Sequence, residues 1–301
     1  MQASDLVEVL CAAHLGHLVE GPFRERGGIM LVGPPGVLKT TFVSILDQHY
    51  QDCVMLSDIN VKSLVALRDQ IASGKINTLV LPELAKVYER ADATALNVEG
   101  TLRALAAEGF SAASFEDSRI NRLSARAMVI GAMTPATIEK RFVGWEESGF
   151  NRRFLFSLLR LSDAMALENA AMNWQRIDFR IRHIPLAPSL GPSTIPNLTT
   201  QKERHRLAVL VKNQPGGDHA IQLQLLIRVL AVLKWWYAET GTLDDPMQVL
   251  ERFAVSLGKN GAEIDIHASV RSSNTVADER IQQHVAGKTL ANRRWKKGRR
   301  K

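Results

Sequence analysis

The sequence predicts an α/β protein: a doubly wound, five-stranded parallel sheet followed by a small C-terminal helical domain. Three observations carry that prediction. Five short apolar runs, at about 29–32, 53–56, 78–81, 127–133 and 153–159, have strand length and are separated by segments of helical spacing. A Gly- and Pro-rich loop joins the first run directly to a helical pattern. A Pro-, Ser-, Gly- and Thr-rich stretch at 184–200 then divides the alternating part from a helical remainder.

Taken in order, residues 1–28 form an N-terminal helix and lead-in. Apolar residues at 6, 9, 10, 13, 15 and 18 make an imperfect helical stripe, and Gly21-Pro22 and Gly27-Gly28 break the chain before the first strand. The α/β domain spans 29–183. Its first strand precedes a helix over about 39–49, and its second, Cys53 to Leu56, ends at Ser57-Asp58. Helical spacing over 60–73 stops at Gly74. Thr78 to Leu81 is the third strand, and helical patterns follow at about 84–90 and 97–108. Polar and small residues over 111–125 predict a loop or hairpin. Ala127 to Met133 is the fourth strand, with a short helix to about Phe142, and Arg153 to Leu159 is the fifth. The linker 184–200 leads to a helical domain over 201–286, in which Ile221 to Trp235 is apolar enough to be its centre. A basic tail occupies 287–301.

Composition narrows the function classes. Apolar residues make up 46% and charged residues 23%, enough for a sizeable core in a soluble chain. Two separated cysteines, Cys11 and Cys53, exclude a disulfide framework and a cysteine zinc site, and point to a reducing, cytoplasmic setting. Asp5 and Glu8 interrupt the first apolar segment, which therefore lacks the form of a signal peptide. No run is apolar for long enough to span a membrane. The net charge is +7, and residues 293–301 alone hold seven basic side chains and no acid. The rest of the chain sums to zero, so the basic character belongs to the tail.

The chemistry begins at Gly33-Pro34-Pro35-Gly36-Val37-Leu38-Lys39-Thr40-Thr41, between a strand and a helix. Strand, glycine loop, Lys-Thr and helix form the layout of a phosphate-binding P-loop. Glycines let backbone N–H groups turn inward onto phosphate oxygens, and the helix N-terminus adds its positive end. Lys39 reaches β- and γ-phosphates, and the Thr40 hydroxyl ligates Mg²⁺. The cofactors expected are therefore ATP and Mg²⁺. Leu38 stands where the loop pattern has glycine, which requires a negative φ there. The plainer alternative is a Gly/Pro turn before a helix with a solvated lysine.

Other candidates lie at strand ends. Glu83 is the acid at the end of the third strand, where it holds Mg²⁺ or polarises the attacking water. Pro82 occupies the position of the expected metal aspartate, and a helix-initiating Pro-Glu is the alternative. Asp58, ending the second strand, is the reserve carboxylate. Thr134, ending the fourth strand, is a sensor of the γ-phosphate or a strand-terminal Thr before a proline turn. Arg152 and Arg153 precede the fifth strand as arginine-finger candidates or as a surface pair, and two adjacent arginines cannot both point the same way. Arg293, Arg294, Trp295, Lys296, Lys297, Arg299, Arg300 and Lys301 make a tail that contacts nucleic-acid backbone with a base stacked on the indole, or simply a solubilising end. Arg119, Arg122 and Arg126 are weaker candidates for a pore that touches DNA.

This order of parts resembles the AAA+ ATPases. The resemblance covers about residues 25–160 and rests on Gly33-Pro34-Pro35-Gly36 with Lys39-Thr40, on Glu83, on Thr134 and on the arginine pair. Ser57-Asp58-Ile59-Asn60, Leu81-Pro82-Glu83-Leu84 and Gly149 to Leu155 are also similar to P-loop proteins of phages and other mobile elements, which act on DNA in replication or transposition. The resemblance implies a homo-oligomeric ring or spiral, nucleotide at subunit interfaces and hydrolysis completed by a neighbour's arginine. It implies DNA as a partner, with a replication or recombination protein possible beside it. A second sensor arginine would be Arg204, Arg206 or Arg228. The alternative is a nucleotide-gated assembly or recruitment protein with little hydrolysis, which Leu38 and Pro82 motivate. A small-molecule kinase is a third reading, for which no arginine-bearing lid is evident.

Overall fold

The computed structural model describes residues 3–33, 39–109, 125–159, 194–212, 214 and 219–255. Five strands, β1 (Gly28–Val32), β2 (Cys53–Met55), β3 (Thr78–Leu81), β4 (Met128–Met133) and β5 (Phe154–Leu158), form one sheet in the order β2-β3-β4-β1-β5. Every pairing is parallel. The five apolar runs thus become the five strands, and the parallel α/β character is as predicted.

Alternation along the strands divides the core in two, because successive side chains point to opposite faces. Ile29 and Leu31 of β1, with Val80, Ile130 and Leu155, belong to the first cluster. That cluster takes in α1 (Ala3–Leu15), α2 (Lys39–His49) and the later helices α7 (Ala220–Thr240) and α8 (Pro246–Val255). Met30 and Val32, with Leu79, Leu81, Val129, Phe154 and Phe156, belong to the second, together with α3 (Val61–Ala72), α4 (Asp92–Ala106) and α5 (Pro135–Ser148). The helices after 200 therefore share a core with α1 and with one sheet face. Salt bridges reinforce the seam: Arg252 of α8 donates to both carboxylate oxygens of Asp5 at 2.8 and 2.9 Å.

Several boundaries differ from the sequence reading. The pattern at 84–90 is a 3₁₀ helix, Leu84–Glu89, and α4 starts at Asp92 rather than near 97. Helix α5 runs to Ser148 instead of stopping near Phe142, because buried Trp145 continues the Ile138–Phe142 stripe. The charges of 139–147 had masked that stripe. Gly149 ends the helix in the left-handed conformation, φ +71°. The helical region after 200 divides into α6 (Gln201–Val211), α7 and α8; Gly241, φ +66°, closes α7. Within the expected linker, Ile195 is buried and bridges to Val19, so 194–200 is tied down. Residues 111–124 and 184–193, the pattern at 259–286 and the basic tail with Arg293, Arg294, Trp295, Lys296, Lys297, Arg299, Arg300 and Lys301 lie outside the described residues.

Both open edges of the sheet are closed by side chains. At β2, Met55 N donates to Asp47 Oδ1 of α2 at 3.0 Å. At β5, Phe156 N donates to Gln214 Oε1 at 2.9 Å, and Phe154 O accepts from Gln222 Nε2 at 2.9 Å. Side-chain amides, one from a bend and one from α7, so bond to the edge of β5 and blunt an edge that would otherwise template association. Among the described residues no helix is long and apolar enough to cross a membrane.

Candidate functional site at the carboxyl ends of β1, β3 and β4

Connections decide where a ligand fits on this sheet. The segment leaving β1 leads to α2 on one face, whereas the segment leaving its neighbour β4 leads to α5 on the other. Adjacent parallel strands whose connections part in this way leave a crevice at their carboxyl ends. Gly33 lies there, its N–H donating to Met133 O at 3.2 Å. Lys39 starts α2, and Thr134 starts α5.

Lys39 is the informative side chain. Its Nζ donates to the carbonyl of Gly33 at 2.6 Å, so the ammonium reaches back over the loop from helix to strand end. Burial pushes its pKa down. A desolvated cation beside a helix N-terminus is the electrostatic condition for holding a polyanion. Thr40 is exposed and Thr41 half-buried in the same first turn. Pro34, Pro35, Gly36, Val37 and Leu38 lie outside the described residues.

Thr134 is half-buried, and its hydroxyl is 3.0 Å from that of Thr137 within α5. The sheet order puts β4 between β1 and β3, so Thr134 sits between the loop and Glu83. Glu83 precedes the 3₁₀ helix without capping it by its side chain. It is 44% exposed and forms an ion pair with Lys86. Buried Pro82 turns the chain directly after β3. Asp58 is paired with Arg90, which also donates to Ile59 O at 2.8 Å.

The arginine pair lies at the other end of the sheet, where β5 begins. One strand length, about 16 Å for five residues, separates that end from Gly33. Its two members differ. Arg153 donates to Gly149 O at 2.6 Å and pairs with Glu108. Burial of Glu108 raises its pKa, but the Arg153 bond outweighs this and holds it below the usual range. Arg152 is exposed. The sequence left the two equivalent; the turn geometry separates them.

Three of the remaining basic candidates, Arg126, Arg206 and Arg228, are engaged elsewhere. Arg126 donates to Ala107 O at 3.0 Å and Glu108 O at 2.9 Å, capping the carboxyl end of α4. Arg119 and Arg122 lie outside the described residues. Arg228 is buried on α7, donates to Arg26 O at 2.7 Å and has its pKa lowered to about 9, chiefly by burial. It stands at the amino end of β1, away from the crevice, which removes it from the sensor candidates. Arg206 pairs with Glu251 at 2.5 Å, and Arg204 is exposed.

Sequence reading missed a second polar cluster at that amino end. His14 of α1 lies 2.8 Å from Thr78 Oγ1 through Nδ1 and 3.2 Å from Asp52 Oδ1 through Nε2. The contact to Asp52 is one of charge and distance; the hydrogen bond of the ring is the one between Nδ1 and the threonine hydroxyl. Asn77 also donates to Asp52, at 2.9 Å. The order Thr, His, Asp resembles a nucleophile triad, but Thr78 is fully buried, so the chain of bonds anchors α1 to β3 and does no chemistry. Its members are spread over residues 14–78, and only folding brings them together.

What the fold and crevice define is an α/β protein with a parallel sheet and a lysine-headed helix N-terminus at a crossover crevice. A comparison with known protein families finds no family model that matches the chain, and no curated protein reaches a significant match.

Proposed function

We propose that the chain binds ATP with Mg²⁺ at the carboxyl end of β1 and hydrolyses it in a homo-oligomer that acts on DNA, in the manner of AAA+-like ATPases of phages and mobile elements. The observation that carries this reading is the bond from Lys39 Nζ to Gly33 O across the loop, at the crevice between β1 and β4. An ammonium spanning that loop is poised to exchange a carbonyl for phosphate oxygens. Thr40 and Glu83 are the residues that hold the metal, which supplies charge neutralisation on the phosphates. Thr134 orients the γ-phosphate or the attacking water. The arginine from a neighbour is Arg152, because Arg153 is already engaged. DNA is contacted by the basic tail, through salt-sensitive phosphate contacts.

One observation favours a second reading, a nucleotide-gated assembly protein with little turnover. Glu83 is paired with Lys86, and Pro82 replaces a second acid. Water activation then requires that pair to open. Calorimetric titration with ATP and Mg²⁺ tests binding: wild type binds and Lys39→Ala does not. Phosphate release across protein concentration and added DNA separates the two readings. Turnover that rises with both and vanishes in Glu83→Gln supports the ATPase; binding without turnover supports the gate; absence of binding removes both.

A further inference from the structure

The turn that bears Arg152 is built to keep its place. Phe150 is fully buried and stacks on Trp145, with ring centroids 4.8 Å apart. Trp145 Nε1 donates to buried Glu99 of α4 at 2.8 Å. Arg103 of α4 donates to Ser148 O, and Arg153 pairs with Glu108 just beyond α4. Gly149 admits no other residue without strain: its φ is +71°, and a Cβ would lie 2.9 Å from Arg153 Nη1. Helix α4 and the residue just beyond it therefore hold one side of the turn through Glu99, Arg103 and Glu108.

On the other side the turn is bonded to α7 by Gln222. Gln222 is fully buried. Its Nε2 donates to Asn151 O at 2.8 Å and to Phe154 O at 2.9 Å, the carbonyls on either side of Arg152-Arg153. Both amide hydrogens are thus used, so Oε1 must accept, and the partner 2.9 Å away, His219 Nδ1, must donate. Asn151 is fully buried, and among the described residues neither its Nδ2 nor its Oδ1 has a hydrogen-bond partner. The two bonds from Gln222 tie the turn to α7 at both carbonyls that flank Arg152-Arg153.

We propose that Gln222 is a positioning residue for Arg152, so that the register of α7 against β5 sets whether the arginine can reach a neighbouring subunit's phosphates. This rests on the reading of the protein as a hydrolysing assembly. Arg152 lies between the two carbonyls that Gln222 holds. A shift of about 1 Å at a charge-stabilising group costs on the order of 100-fold in rate. The helices after 200, which also bury the first sheet face, are by this link coupled to the step that completes the site next door.

Subunit mixing tests it. Lys39→Ala chains lack a nucleotide site but still offer Arg152; Arg152→Ala chains keep the site but offer no arginine. Mixed, the two recover turnover that neither has alone. Gln222→Met, which keeps length and removes both donors, is added to one partner at a time. Added to the Lys39→Ala chain, it cuts the recovered turnover by about tenfold to 100-fold; added to the Arg152→Ala chain, it leaves the recovery unchanged. His219→Ala on the Lys39→Ala chain gives a smaller loss of the same kind and serves if Gln222→Met does not fold. Equal loss on either chain, or loss on neither, overturns the role of Gln222. No recovery in the parent mixture overturns the assembly on which it rests, and the role with it.

Discussion

The two ends of the parallel sheet use polar residues in opposite ways. At the carboxyl ends of β1, β3 and β4 their contacts include bonds to residues a few positions away in the chain. Lys39 holds a backbone carbonyl, Thr134 only a neighbouring threonine, and Glu83 a surface lysine. At the amino ends the contacts join residues far apart in sequence: His14, Thr78, Asp52 and Asn77 meet in one cluster, Arg153 pairs with Glu108, and Trp145 donates to Glu99. Bonds between distant segments hold the fold together, whereas a contact within a few residues at a strand end can be exchanged with less cost to the fold. Arg152 is the exception, an exposed cation on a turn whose neighbours are bonded across the fold.

That contrast can be broken in four ways, given from the largest effect to the smallest. Trp145 is fully buried and bonded to Glu99, so Trp145→Ala lowers stability by about 3–5 kcal/mol, read as a fall in the urea midpoint. Lys39→Ala should do the reverse: ATP affinity falls about 100-fold, equivalent to about 3 kcal/mol, while unfolding stability changes by less than about 0.5 kcal/mol. If the lysine proves to matter more for stability than for affinity, the division between the two ends fails.

The third test is pH. Burial lowers the His17 pKa to about 4 from its ordinary 6.5. The unfolded chain then binds that proton more readily than the folded one, so stability rises from pH 4 to 6.5 and is lost on acidification, by on the order of 2–3 kcal/mol. His17→Gln flattens that slope. Asp52 adds to the loss below it. Burial works to raise its pKa, but bonds from His14 and Asn77 outweigh that and leave it depressed, so its stabilising contribution holds above the unfolded carboxylate value and disappears in stronger acid. Denaturant melts across pH 3–7 measure both. The smallest effect sharpens the arginine assignment. Arg153→Met costs about 1–2 kcal/mol through its bonds to Gly149 O and Glu108, whereas Arg152→Met stays within about 0.5 kcal/mol. Paired thermal melts decide it, and equal losses would make the two arginines interchangeable again.

Much of the fold was legible because strand length, apolar content and glycine punctuation are local. All five strands fall within a residue or two of their sequence ranges, and α2 and α3 are nearly coincident with theirs. The failures are local too, and have physical causes. In α5 the charges at 139–141 and 146–147 hid a buried stripe that only the opposing surface of α4 makes necessary. Near 195, Pro and Ser spoke for a linker, but Ile195 found a backbone partner in Val19. The candidate site was legible where it follows a motif, as at Gly33 and Lys39, and not where it depends on which of two adjacent side chains turns inward.

The sequence by itself determined the elements, the class of sheet and the residues that terminate its strands, because alternation, helical spacing and turn chemistry act within a few residues. The tertiary structure alone decided the order of the strands, and so that Thr134 stands between Lys39 and Glu83. It alone joined His14 to Asp52 and Thr78, gave Arg153 to Glu108 and left Arg152 exposed, and brought Gln222 to the turn at Asn151. Those outcomes depend on hydrogen bonds and ion pairs between residues up to 71 positions apart, whose partners are chosen by packing rather than by neighbourhood in the chain.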